Sequence, residues 1–275
     1  MYPILSKTKL NNNVEEIVVK APYVARHCEP GQFIILRVDE DGERIPLTIA
    51  AYDREAETVT VTYQIVGFTT RKLSEKKAGD SILDFVGPLG KPSHLQPAKR
   101  VIGIGGGVGA VPLFPQLEKL NAMGTQVDLI LGARSKDLIL LEEKFSKFCK
   151  NIYITTDDGS YGVKGLVTDK LKELLEKGET YDEVIAIGPI IMMKFVSLLT
   201  KQYNLKTSVS LSPIMVDGIG MCGGCRVTIG GETKFACVDG PDFDGHKVDY
   251  DELMRRQGMY KNEESHICKI GLKPS

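Results

Sequence analysis

RVIGIGGGVGAVP, Arg100 to Pro112, is the stretch where one hydrophobic period gives way to another. Val101, Ile102 and Ile104 belong to a short apolar run of the kind that a strand buried on both faces requires. Gly105, Gly107 and Ala110 satisfy G-x-G-x-x-G/A, in which missing side chains let the backbone approach a pyrophosphate at a helix N-terminus. Such a turn also serves as plain packing, but the strand before it and the helical VPLFPQLEKLNAM after it favour a nucleotide. Downstream, VDLILGA, LILLEEKFSKF, IYITT, LVTDKLKELLEKG, EVIAIG and IIMMKFVSLLTKQ alternate strand and helix. Four strand–helix units predict a doubly wound parallel sheet over residues 98–205, with ligands at the carboxyl ends of its strands. The acid expected after the second strand is missing, and Arg134 stands there instead. An arginine at that place favours a 2′-phosphate, whereas Asp157 and Asp158 after the third strand repel one, so the residues leave NAD and NADP both open.

Upstream, residues 1–97 alternate with period two. VEEIVVKA, GQFIILRV, PLTIAAY and TVTVTYQIV are rich in β-branched residues and are separated by turn clusters, the pattern of a small antiparallel barrel. Arg44, Thr48, Thr69 and Thr70 place a cation and hydroxyls near its turns, which suits a flavin's phosphates. Residues 206–275 are too short for a third full domain. They carry VDGIGMCGGCRVTIGGETKFAC, in which Asp217, Cys222, Cys225 and Cys237 form D-x4-C-x2-C-x11-C. This is the plant-type [2Fe–2S] spacing with a carboxylate in place of the first cysteine. A zinc site could also use the C-x2-C pair, with Cys237 and His246 completing a Cys3His set. Zinc leaves Asp217 without a role and does not need glycines at 218, 220, 223 and 224, so the spacing favours iron.

Lys plus Arg (35) nearly balance Asp plus Glu (36), which gives no bulk attraction for nucleic acid or an anionic membrane. The most apolar window, VIAIGPIIMMKFVSLL, is broken by Gly188-Pro189 and Lys194 and makes a poor membrane span. The N-terminus lacks the apolar core of a signal peptide, so a cytoplasmic protein is expected. Six cysteines in 275 residues are no disulfide framework; Cys28, Cys149 and Cys268 read as isolated core or surface residues.

PGQF (30–33), RIPLTIA (44–50), YQIVGFTT (63–70), GPLG (87–90), GGGVGAVP (105–112) and IGPIIMM (187–193) together resemble the ferredoxin–NADP reductase superfamily over nearly the whole chain. The added cysteine segment narrows the resemblance to electron-transfer subunits of the dihydroorotate dehydrogenase type. Asp217 at the first ligand position resembles the small subunits of NADH-dependent reduced ferredoxin:NADP oxidoreductases, which bifurcate electrons. The resemblance implies an oxidoreductase subunit with FAD on the barrel, NAD(H) on the parallel domain and a [2Fe–2S] cluster in the C-terminal segment. It implies FAD contacts from Arg44, Pro46, Leu47, Thr48, Thr62, Tyr63, Gln64, Ile65, Gly67, Thr69 and Thr70. For NAD it implies Gly105, Gly107, Val108, Gly109, Ala110, Arg134, Asp157, Gly188, Pro189 and Met192, and for the metal Asp217, Cys222, Cys225 and Cys237. Three positions depart from the pattern: Arg44 lies one residue too far from Thr48 for R-x-Y-[ST], Ile187 replaces a cysteine, and Asp217 replaces another. No residue is expected to act as a general acid or base, because the cofactors carry the chemistry. The implied partner is a larger flavin and iron–sulfur subunit in a heterodimer, through which ferredoxin and NADP(H) are reached. Alternatives are the electron-transfer subunit of dihydroorotate dehydrogenase or sulfide dehydrogenase and, more distantly, a zinc-stabilised interaction protein.

Overall fold

The computed structural model describes residues 1–270, with side chains to residue 266; the expectation for Cys268 lies outside the described side chains. Period-two alternation builds the first sheet. Strands β1 (Tyr2–Lys9), β2 (Val14–Lys20), β3 (Phe33–Arg37), β4 (Ile45–Asp53), β5 (Thr58–Gln64), β6 (Ser81–Ile82) and β7 (Asp84–Leu89) pair antiparallel. Their order is β6-β1-β2-β5-β4-β3-β7, a nearly closed barrel filled by Ile17, Val19, Ile34, Leu36, Val61 and Phe85. Two short helices interrupt the strands where the pattern predicts none, α1 (Pro22–His27) and α2 (Phe68–Glu75). Each has a local cause: Pro22 opens α1 with its φ already helical, and the Thr70 hydroxyl accepts the backbone N–H of Gly67 at the start of α2.

The second sheet follows the strand–helix alternation: β8 (Arg100–Gly106), α3 (Ala110–Ala122), β9 (Gln126–Ala133), α4 (Glu142–Phe145), β10 (Asn151–Thr156), β11 (Val163–Lys164), α5 (Val167–Glu176), β12 (Glu183–Ile187), α6 (Ile190–Gln202) and β13 (Thr207–Ser210). The strands lie parallel in the order β11-β10-β9-β8-β12-β13. The chain therefore winds outward from β8 in one direction and returns to β12 on the other side, which opens a crevice between β8 and β12 at their carboxyl ends. The helix expected over LILLEEKFSKF shrinks to the four residues of α4. Leu140 is buried from an extended segment and Leu141 adopts φ 61°, so the apolar run there fills a core groove instead of winding.

The C-terminal segment adds a hairpin, β14 (Arg226–Ile229) and β15 (Glu232–Phe235), then α7 (Ala236–Asp239), β16 (Asp242–Asp244), α8 (Tyr250–Gln257) and α9 (Lys261–Ile270). It does not stand apart. β13 extends the parallel sheet, and β16 pairs antiparallel on β13 as that sheet's last strand. Cys225, Val227, Ala236, Cys237 and Leu253 share one buried core with Ile102, Ile104 and Val209 of the sheet and with Phe33 and Ile35 of the barrel. The linker leaving the barrel is tied to the same segment: the Lys91 N–H donates to the Gly240 carbonyl at 2.7 Å, and the Ser93 hydroxyl to Asp242 at 2.5 Å. Among the described residues no helix is long and apolar enough to cross a membrane.

Candidate functional site

At the β8–β12 crevice two loops nest against each other. A Cβ on Gly109 would lie 2.2 Å from the Ile187 carbonyl oxygen, and one on Gly188 would lie 3.0 Å from the Gly106 Cα. A Cβ on Gly106 would meet the Met192 sulfur at 2.5 Å. At Gly107, with φ 54°, nothing stands within 4 Å, so the turn is closed toward the 187–192 loop and open on its other side. That open side faces away from bulk a side chain would add, at the start of the 13-residue helix α3, where a pyrophosphate gains from orphan N–H groups. Arg134 and Asp157 are exposed just past the ends of β9 and β10. The backbone N–H groups of Asp157 and Asp158 donate to the Ala133 and Arg134 carbonyls, so these two strand ends form one rim. The carboxylate of Asp158 is held below its ordinary range chiefly by hydrogen bonding to Ser160, and is turned into the loop. Gly109→Ala is expected to weaken NADH binding at least about tenfold while the far-UV spectrum stays unchanged, because backbone atoms on both sides must move. Fluorescence titration with NADH measures it, and an unaltered Kd would discount the nested turn.

On the barrel, Pro46, Leu47 and Thr48 lie half-buried on β4, beside Thr62, Tyr63 and Gln64 on the neighbouring β5. Gln64 is exposed and Ile65 half-buried at the turn that leads to Gly67 and α2. Not every expected contact is free for a ligand. The Tyr63 ring is buried in the barrel core, and its hydroxyl donates to Glu15 at 2.7 Å, so it offers a ligand neither ring nor hydroxyl. Thr70 spends its hydroxyl on the N–H groups of Val66 and Gly67, and Thr69 donates to Glu43 at 2.6 Å. Arg44 points out of the barrel: its Nε donates to the Val216 carbonyl at 3.0 Å, one residue before Asp217.

That bond joins the barrel to the cysteine loop. The loop is also seated there by Gly218, at φ 75°, where a Cβ would collide with Leu89 and Ile35 at 2.7 and 2.8 Å. The four expected ligands stand in two pairs. Asp217 accepts the Cys222 backbone N–H at 2.6 Å, while the Cys225 and Cys237 sulfurs are 3.2 Å apart. Among the described residues no three His, Cys, Asp or Glu side chains converge on a single ion. Two ions with two protein ligands each fit this donor set; one tetrahedral ion does not. His246, which a Cys3His zinc site needs, sits beside α6 with its Nε2 3.0 Å from the Thr200 hydroxyl. Burial opposes ionisation of Asp217, but the backbone N–H groups of Ile219 and Cys222 outweigh it and hold the carboxyl below its ordinary range. Burial, with the Cys225 thiol alongside, pushes Cys237 up to about 12, so a thiolate there requires strong positive charge such as ferric iron. Cys222 is exposed, within an apolar rim of Val216, Ile219, Met221 and Val238. Beneath the turn lies a residue the sequence reading missed: Arg256 of α8, whose Nη2 donates to the Gly224 carbonyl at 3.2 Å. Its only local signal is a basic last helical turn, which ordinarily just complements the helix dipole.

A cavity of about 550 Å³ lies elsewhere, between the 91–95 linker, the amino ends of β12 and β13, and β16. None of the residues expected to hold FAD, NAD or the iron pair lines it, and His246 of the zinc alternative does.

Two stretches of the chain match known family models. Residues 104–198 match the oxidoreductase NAD-binding domain, and residues 212–249 match the iron-sulfur cluster binding domain of dihydroorotate dehydrogenase B. A Thermotoga maritima homolog of the dihydroorotate dehydrogenase B (NAD(+)) electron transfer subunit is 44% identical over 95% of this chain and 92% of its own length. An uncharacterized protein of Clostridium beijerinckii is 56% identical over 96% of this chain and 92% of its own. Among solved structures, a chain of NADH-dependent reduced ferredoxin-NADP oxidoreductase, determined for insight into flavin-based electron bifurcation, superposes with a TM-score of 0.94. It is 43% identical, covering 99% of this chain and 98% of that one.

Proposed function

Since the chain belongs to the family of dihydroorotate dehydrogenase B electron transfer subunits and their homologs, we propose that it is the NAD(H)-side small subunit of an electron-bifurcating NADH-dependent reduced ferredoxin:NADP oxidoreductase. The observation that carries this reading is the two-pair set Asp217/Cys222 and Cys225/Cys237 on a loop docked against the flavin-type barrel, in a chain alike over 99% of its length to that enzyme's structure. When bound, FAD and a [2Fe–2S] cluster supply the conversion between a two-electron hydride and single electrons.

The polypeptide's own part is to bind, orient and shield. The turn at Gly105–Ala110 offers open backbone and the α3 N-terminus to the dinucleotide's pyrophosphate. Gly188, Pro189 and Met192 close the crevice from the β12 side and would hold the nicotinamide end of the dinucleotide there. Thr48 and the Gln64–Gly67 segment form the barrel surface that would hold the flavin, and Arg44 ties that surface to the metal loop. Asp217, Cys222, Cys225 and Cys237 would hold the iron pair. No side chain is needed to move a proton. A larger flavin and iron–sulfur subunit docks over the apolar rim around the exposed Cys222, where Met221 is 82% exposed. Ferredoxin and NADP(H) meet that partner, not this chain.

Anaerobically purified protein is expected to contain flavin, two irons and two acid-labile sulfides per chain, on the order required by one such cluster. NADH should bleach its visible spectrum faster than NADPH. Colourless protein, or a spectrum indifferent to NADH, would refute the reading.

A further inference from the structure

Neither the nucleotide crevice nor the barrel surface accounts for the arginine packed beneath the C-x2-C turn. Arg256 donates through Nη2 to the Gly224 carbonyl at 3.2 Å, and its Nε is buried with no hydrogen-bond partner among the described residues. Arg256 as a whole is half-buried, but an unpaired N–H at its buried Nε is costly and calls for an acceptor. The helix that carries it is well anchored. Asp249 caps α8 by accepting the Glu252 N–H at 2.9 Å, the Tyr250 hydroxyl lies 2.8 Å from the Ser197 hydroxyl, and Gln257 donates to the Ser212 carbonyl at 3.0 Å. Leu253, one turn before Arg256, is buried in the same core as Cys225 and Cys237. The guanidinium is thus fixed against the turn by packing and not by a surface ion pair. Arg226, the other guanidinium near the turn, differs: it is exposed, with its Nη1 3.0 Å from where a Gly223 Cβ would stand.

We propose that Arg256 sets the reduction potential of the iron pair held by Asp217, Cys222, Cys225 and Cys237. Adding an electron makes such a centre more negative, and a fixed cation in a poorly solvated place stabilises that state and raises the potential. The inference rests on the cluster reading above and deepens it.

The test is a redox titration of the anaerobic holoprotein, monitored by electron paramagnetic resonance, with iron and sulfide counted in every sample. Arg256→Met is expected to lower the cluster midpoint so that, at fixed poise, the reduced-to-oxidised ratio falls about tenfold, or ~59 mV for one electron. Arg256→Lys, which keeps the charge, should recover at least half of the shift. Arg226→Met should move the midpoint less, since water and salt screen an exposed charge. The flavin midpoint should stay put in all three. An unchanged cluster midpoint in iron-replete Arg256→Met overturns the proposal, and so does an equal or larger shift in Arg226→Met. Where Arg256→Met fails to hold iron, Arg256→Lys and Arg256→Gln decide: both offer a donor to Gly224, only one is charged, and equal midpoints overturn the proposal. Wild-type protein without iron and sulfide removes the cluster itself, an outcome distinct from a replete protein with an unmoved midpoint.

Discussion

Cys225→Ala is expected to abolish the iron pair while leaving NADH able to bleach the yellow chromophore. Cys225 is 2% exposed, and its sulfur lies 3.2 Å from that of Cys237, so one ion would lose half of its protein ligands with no water-borne substitute nearby. Iron content should fall below about a tenth of the wild-type value, and NADH-driven reduction of the larger subunit by roughly 100-fold or more. Cys28→Ala and Cys149→Ala serve as controls: burial pushes these thiols to about 11 and about 12, which marks them as inert packing residues. Iron analysis with stopped-flow absorbance separates the outcomes. Full iron in Cys225→Ala would mean that another residue supplies the ligand.

The second large effect lies far from the chemistry. Arg100→Met should destabilise the nucleotide domain by about 3–5 kcal/mol, because it strands a buried carboxylate. Asp128 is fully buried, and Arg100 holds it with Nε at 3.1 Å and through Nη2, while Asn151 and Tyr181 add bonds at 3.0 and 3.4 Å. The same guanidinium bonds Glu179 and lies 4.7 Å over the Tyr181 ring, so β8, β9 and the loop before β12 meet at one cation. The urea midpoint of the domain's tyrosine signal should fall by about 1 M or more. Arg100→Met combined with Asp128→Leu should regain most of the loss, since the pair is replaced by apolar groups of similar size. A single variant as stable as the wild type would show that water reaches Asp128.

What could be read from the sequence was whatever leaves a local period or spacing. The Gly105–Ala110 turn, the alternating barrel strands and the D-x4-C-x2-C-x11-C ligands all fall within a few dozen residues, where one fold element constrains the next. Periodicity also says which residues alternate but not what each face meets: Tyr63 falls on a strand of the flavin surface, yet its ring fills the barrel. Thr70 was legible as a hydroxyl near a turn, and not as the cap of a helix whose strand-like neighbours conceal it. Contacts made across the fold left no mark at all. Arg44 reaches Val216 over 172 residues of sequence, and Arg256 reaches Gly224 over 32. The place of β13 beside β12 likewise depends on the parallel sheet having formed first.

That last dependence orders biogenesis. The ligand-bearing loop is pinned at one end by β13 and at the other by β16, and β16 closes on the edge of the sheet that β8 to β13 have built. As the polypeptide leaves the ribosome, its first two folding units can mature before residue 244 is translated. All four donors are translated before β16, so a product that stops short of residue 242 would carry them on a loop tied at one end only, and the last short strand is what fixes the second end.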